Sequence, residues 1–229
     1  MNDDRIGTKR RKPGVYSRGA ETVNAILKAA LHVLVEEGAS AFTLQRIATE
    51  CGLKVGHVNH HFPRKELLVE VLLDEILVAG ETQVNGAMEQ PSLSAEDGLA
   101  RLIAHILDDV STKQTAHLFT ELWAMANHNK LVADRLGALH RHVHQMITSF
   151  VERLNPALSH EDAAVVAIFI YGATDGMTMF SGFGRPWASD MPGVKNIAVK
   201  GLVELAKTIT PRDISKLPKT GAKSPAKQG

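Results

Sequence analysis

Within eight residues the chain places Lys54, His57, Asn59, His60 and His61, with Gly56 among them. Cationic, imidazole and amide groups of this kind donate to phosphate oxygens and pair with base edges, and a glycine lets the backbone come close to its target. Other candidates for chemistry are scattered. His140 and His144 share a helix face, as two ligands of a metal site would, but a third donor such as His117 or Glu121 is then required. A polar helix face or pocket rim needs no such import, and phosphate proximity accounts for His60 and His61 better than a metal does. Cys51 offers a thiol, although a free cysteine is commonly a small buried apolar group. Asp175 sits inside an otherwise apolar helix, and a buried carboxylate needs a partner: Trp123, a histidine or a ligand. There is no paired nucleophile and base at recognisable spacing, no Gly-rich phosphate cradle and no zinc motif. An enzyme is therefore not expected, nor a cofactor.

The polar cluster is positioned by helices. Val23, Ile26, Leu27, Ala30, Leu31, Leu34 and Val35 follow the spacing of a one-sided helix, which Gly38 can end in a left-handed cap. Thr43 predicts the N-cap of a short second helix carrying Leu44, Ile47 and Ala48 inward. Gly52 breaks the chain, a third helix runs from about Lys54 to His61, and a long fourth follows Pro63. Two short helices joined by a glycine turn, locked by Leu44, Ile47, Ala48, Leu53 and Val58, form a helix-turn-helix candidate.

The remainder reads as further helices, so the fold class is all-α. Ser94 and Ser159 each open a helix with capping-box spacing, Asp standing in for Glu. Helices are expected over 112–127, 130–154, 163–180 and 194–209. The segment 163–180 is apolar on nearly every side, which suits burial in a bundle or at a subunit interface. Phe119, Trp123, Met125, Met146, Phe150, Phe169, Met177 and Phe180 are spaced to line a helical interior, either as core or as a plastic apolar pocket. The organisation expected is a disordered basic arm over 1–17, a DNA-binding head over 18–66, a larger helical lobe over 67–210 and a disordered basic tail over 211–229.

Charge divides along the same lines. Residues 1–66 hold 11 Lys/Arg against 7 Asp/Glu, whereas 67–210 hold 10 against 17. A basic front and an acidic body suggest that only the front meets a polyanion. The arm's Lys9-Arg10-Arg11-Lys12 run can follow a groove even without fixed structure. One cysteine, the lack of an apolar leader and the lack of a long apolar run point to a soluble cytoplasmic protein that engages no membrane.

The ordered stretch from Thr43 to Leu68, with Ile47-Ala48, Cys51-Gly52, Gly56, His60-His61-Phe62, Lys65 and Leu67, resembles the signature of the TetR (tetracycline-repressor) family. The match spans roughly 50 residues with the first helix, and the lobe resembles the family in length and helical organisation. The resemblance implies a homodimer that binds a double-stranded DNA operator through its head and a small, partly apolar effector through its lobe, acting as a repressor. By the same resemblance Thr43 is a phosphate-binding N-cap, Lys65 grips a second phosphate, and His57, Asn59 and His60 contact bases or backbone. Two positions depart: Lys54 stands where a small N-cap is usual, and Asn59 replaces a tyrosine, gaining an amide that could pair with adenine. Phe119, Trp123, Met146, Phe169, Asp175 and Met177 are the expected effector contacts. Dimerisation is expected through 159–209, with Gly172 and Gly176 allowing close approach and Val165, Ile168, Val199, Leu202 and Leu205 around them. The alternatives are a small helical enzyme and an architectural DNA binder without a ligand.

Overall fold

The computed structural model describes residues 13–88 and 94–215. The basic run at Lys9 to Lys12 and the tail from Lys216 lie outside them. Among the described residues every regular element is a helix: α1 (Pro13–Glu37), α2 (Leu44–Glu50), α3 (Val55–His61), α4 (Lys65–Met88), α5 (Ala95–Val110), α6 (Lys113–Ala126), α7 (Lys130–Leu154), α8 (His160–Asp175), α9 (Met177–Phe180), α10 (Met191–Thr208) and α11 (Pro211–Ser215). A 3₁₀ turn, Ala188–Asp190, precedes α10.

Two compact units emerge. The first takes the residues up to Ala79 together with His117–Leu136. Its core joins Ile26, Ala30, Val33 and Leu34 of α1 to Ile47 and Ala48 of α2, Val58 of α3 and Leu68 and Leu72 of α4, around Phe42 and Phe62. The head extends past the expected limit at residue 66 because α1, α2 and α3 alone leave that core open. Leu118 and Leu122 of α6 and Val132 and Leu136 of α7 close it. Two further bonds tie α6 to the end of α1. His117 Nδ1 donates to the Val35 carbonyl at 2.9 Å, and the Glu121 carboxylate accepts from the Ala39 N–H at 2.8 Å, just after the left-handed Gly38 (φ +80°). Arg135, near the start of α7, meets Asp74 at 2.9 Å and Glu70 at 3.3 Å on α4.

The second unit takes Gly80–Ala116 and the chain from Gly137 onward. Leu99, Leu102, Ile103 and Leu107 of α5 pack with Val143, Ile147 and Val151 of α7, Ala163, Val166 and Ile170 of α8, and Val203 and Ala206 of α10. Ser159 caps α8 with both arms of a capping box, and Ser94 accepts from the Asp97 N–H to start α5. Buried Asn155 donates to the Ala206 and Ile209 carbonyls, satisfying the otherwise bare end of α10.

Several boundaries differ from the expected ones. The first helix opens at Pro13, inside the segment read as a disordered arm, because proline suits a first helical turn. Residues 211–215 are helical rather than tail: Thr210 donates through its N–H and hydroxyl to Asp213. The apolar segment 163–180 is not one helix, since α8 ends at Asp175 and Gly176 caps it. Nor is it buried all round, for Val165, Ile168 and Phe169 are 50%, 62% and 59% exposed. Val199 and Leu202 are partly buried against their own core, and Ile197 is the large apolar residue of α10 that is exposed. The stretch His160–Phe180 is long and apolar enough by composition to cross a membrane, but its apolar residues divide between this core and that exposed row.

Candidate nucleic-acid interface and effector site

The Thr43 side chain accepts from the Arg46 N–H at 3.1 Å, which fixes the start of α2 and leaves its hydroxyl hydrogen free for a phosphate. The turn to α3 closes through the Leu53 N–H, which donates to the Ala48 carbonyl at 2.9 Å, and Gly52 takes φ +66°. Only a glycine holds that angle without strain. Arg46 bridges Glu37 at the end of α1 and Glu50 on α2, which ties the start of the helix pair to α1.

Val58 alone of the α3 side chains is fully buried, and it anchors the helix. Lys54, Gly56, His57, Asn59 and His60 are all exposed, and the His60 and His61 rings meet edge to face. A Cβ added at Gly56 would meet nothing within 4 Å. The space around it is open, so a side chain there would displace no neighbour. Lys54 is the N-cap of α3 without any side-chain cap bond, so its ammonium is uncommitted at a helix start. Half-buried Lys65 holds its Nζ 5.4 Å from the centroid of the buried Phe42 ring, at the first turn of α4. Two lysines thus stand at the starts of α3 and α4, where a helix N-terminus favours an anion.

The expected effector contacts are divided between the units. Phe119 and Trp123 are partly buried against the first core, Met146 and Met177 against the second. Phe169 lies on the exposed row of α8 and faces away from its own core. The histidines do not assemble as a metal set. His144 Nε2 donates to the Ala164 carbonyl at 2.9 Å, His140 packs edge to face on Tyr171 at 5.6 Å, and His117 and Glu121 are committed to the end of α1. Cys51 is half-buried against the first core.

Sequence reasoning missed Tyr171, one turn before Asp175 on α8 and a neighbour whose polar group was hidden in an apolar run. Burial pushes the Asp175 carboxyl up to about 6, pushes the Tyr171 phenol up with Asp175 adding to it, and lowers His140. Among the described residues no side chain or backbone group donates a hydrogen bond to the Asp175 carboxylate. Its raised pKa means the folded protein holds the proton more tightly than the unfolded chain. Stability is therefore lost as pH rises from about 4 through about 6. Asp175→Asn is expected to raise the melting temperature of the ligand-free protein above pH 7, by a gain of ~1–2 kcal/mol once partial exposure is discounted, and to change little near pH 4. Equal gains at both pH values, measured by thermal melts, would remove burial of the charge as the cause.

The family model for bacterial regulatory proteins of the tetR family matches residues 26–72, and that for the C-terminal region of BetI-type transcriptional repressors matches 95–190. The chain is similar to an uncharacterised HTH-type transcriptional regulator in the dhlA 5′ region of Xanthobacter autotrophicus. They are 28% identical over 148 residues, covering 62% of this chain and 70% of that protein. Among solved structures, a TetR-family regulator from Streptomyces coelicolor superposes with TM-score 0.69 at 17% identity, covering 82% of this chain and 97% of the other. A transcriptional regulator from Saccharomonospora viridis in complex with choline superposes with TM-score 0.60 at 18% identity, covering 82% and 94%. With its capped helix-turn-helix, its all-helical body and these matches, the chain belongs to the TetR family of DNA-binding transcription regulators.

Proposed function

We propose that this protein is a cytoplasmic repressor that binds an inverted-repeat operator as a homodimer and leaves it when a small molecule enters the helical second unit. The observation that carries the reading is the pairing of an uncommitted polar row on α3 with α4, α6 and α7, each of which has one end in either unit. A shift of those helices in the second unit moves the elements that close the head's core, because packed helices respond as rigid pieces. The effector then acts by favouring the state whose two heads are wrongly spaced. The relative from Saccharomonospora viridis holds choline, which gives a protein of this fold a small-molecule occupant without naming the one used here.

Within this reading, Val165, Ile168, Phe169 and Gly172 of α8 and Ile197 of α10 meet the same row of a second copy. The DNA contacts are tested by titration at several salt concentrations on a site selected from genomic DNA. Lys65→Ala is expected to weaken all sequences alike and to lower the salt slope by about one phosphate's worth. His57→Ala or Asn59→Ala should instead relax preference at particular base pairs by roughly 1–3 kcal/mol each. Unchanged affinity and slope for Lys65→Ala would show that Lys65 does not touch the backbone.

A further inference from the structure

With α3 set against DNA as proposed above, we infer that binding is proton-linked. His57, His60 and His61 take up protons as the head meets DNA, so the complex tightens as pH falls.

The seven residues of α3 include no Lys, Arg, Asp or Glu, and its three histidines are its only ionisable side chains. Histidine is the side chain that changes charge between about pH 5 and 8. The charge of the reading helix is therefore set by pH and by what stands beside it. His57 and His60 are exposed, and His61 is partly buried. Among the described residues no carboxylate pairs with any of the three. Glu50 of α2 and Glu37 of α1 meet Arg46, and His32 of α1 lies against Glu50. Glu66, in the first turn of α4, is exposed. The other charges around α3 are cationic, Lys54 in the turn before it and Arg64 and Lys65 after it. Cys51, at the end of α2, has its Sγ on the Ala48 carbonyl. The fold brings no anion to the three rings.

DNA brings many. It carries a phosphate about every 1.7 Å of duplex axis. Beside them the imidazolium is favoured over the neutral ring, and its second N–H is an added donor for a phosphate oxygen or for the N7 and O6 acceptors of guanine. The His60 and His61 rings lie edge to face with centroids 5.4 Å apart, a spacing at which two positive charges repel unless an anion joins them. Charging both rings is thus tied to the presence of a phosphate. The sign follows from linkage. A group that holds its proton more tightly in the complex than in the free protein adds affinity at low pH, and that affinity is lost as pH rises. A neutral imidazole bonded to a base edge needs no proton and leaves binding indifferent to pH.

The full-length protein is titrated against the site selected from genomic DNA and against a mixed-sequence duplex, at pH 6 and pH 8 and at several salt concentrations. Wild type is expected to bind more tightly at pH 6, by roughly 5-fold for each imidazole whose proton affinity rises about tenfold in the complex. The salt slope should steepen at pH 6 by about 0.9 for each imidazolium at a phosphate. Calorimetry at pH 7 in PIPES and in Tris, which differ in ionisation enthalpy, should show net proton uptake. The triple variant His57→Gln, His60→Gln, His61→Gln keeps a polar side chain at each position and should lose the pH dependence, the steepening and the uptake together. His60→Gln alone should lose part of each. His32→Gln and Asp175→Asn, whose titrating groups lie off α3, should keep all three, with circular dichroism confirming the fold at both pH values. Equal affinity and equal salt slope at the two pH values in wild type would overturn the inference while leaving the contact of α3 with DNA intact. A pH dependence that survives in the triple variant would overturn it as well. Binding to neither duplex at either pH would sink both the inference and that contact.

Discussion

A protein carrying Ile168→Glu and Phe169→Glu is expected to sediment as a monomer at ~10 μM and to lose its specific complex with a full operator at physiological salt. Both residues are more than half exposed on α8, in line with Val165 and Gly172, and they leave the second unit's own core untouched. Two carboxylates in that row put four like charges into a two-fold contact that the same patch makes on both copies. One short recognition helix reaches only three or four base edges, so a single head binds weakly. Joining two heads raises the second binding event to an effective concentration of roughly millimolar, which is worth about 10²–10⁴ in affinity. The loss should be of that size, with binding to an isolated half-site unchanged. A variant that stays dimeric by sedimentation velocity, or a monomer that holds the full operator as tightly as wild type, would show that the self-contact lies elsewhere.

The head was legible in the sequence because its determinants are local. Thr43 caps α2, Gly38 and Gly52 take positive φ, and Val58 anchors α3, each within a few residues of the element it controls. Ser94 and Ser159 mark their helices for the same reason. The signal for α11 was equally local, in Thr210-Pro-Arg-Asp, but a basic, lysine-rich tail composition outweighed it. Pro13 was lost behind the basic run in the same way. What periodicity could not give is the identity of a partner. Leu118 and Leu122 announce an apolar face on α6, yet nothing in their spacing says that the face closes the DNA-binding head. Phe169 and Ile170 read alike in the sequence, though one is exposed and the other buried. An apolar residue reserved for a second copy carries the same side chain as one reserved for the core. Asp175 was conspicuous as a charge in an apolar helix, but its lack of a donor is a property of everything packed around it.

The second large effect is expected at Gly98, where α5 and α7 meet. A Cβ built there would stand 2.3 Å from Cε1 and 2.7 Å from Cζ of Phe150, far inside contact distance. The ring is nearly fully buried, and the Arg153 guanidinium lies 5.7 Å from its centroid, so it has little freedom to retreat. Glycine normally costs a helix about 1 kcal/mol relative to alanine, which the packing of the ring on bare backbone offsets. Gly98→Val should therefore destabilise by about 3 kcal/mol or more, lowering the melting temperature by roughly 6–12 °C for a chain of this size. Phe150→Ala alone should cost about 3–5 kcal/mol through the cavity it leaves. The two changes should not add. With the ring gone, valine at 98 fills part of the space and recovers helix propensity, so the double variant should be at least as stable as Phe150→Ala by chemical denaturation. That coupling of about 3 kcal/mol is the signature of direct contact. Additive losses would mean that Gly98 is required by the helix backbone and not by the ring, and that α5 and α7 could slide past each other where this packing forbids it.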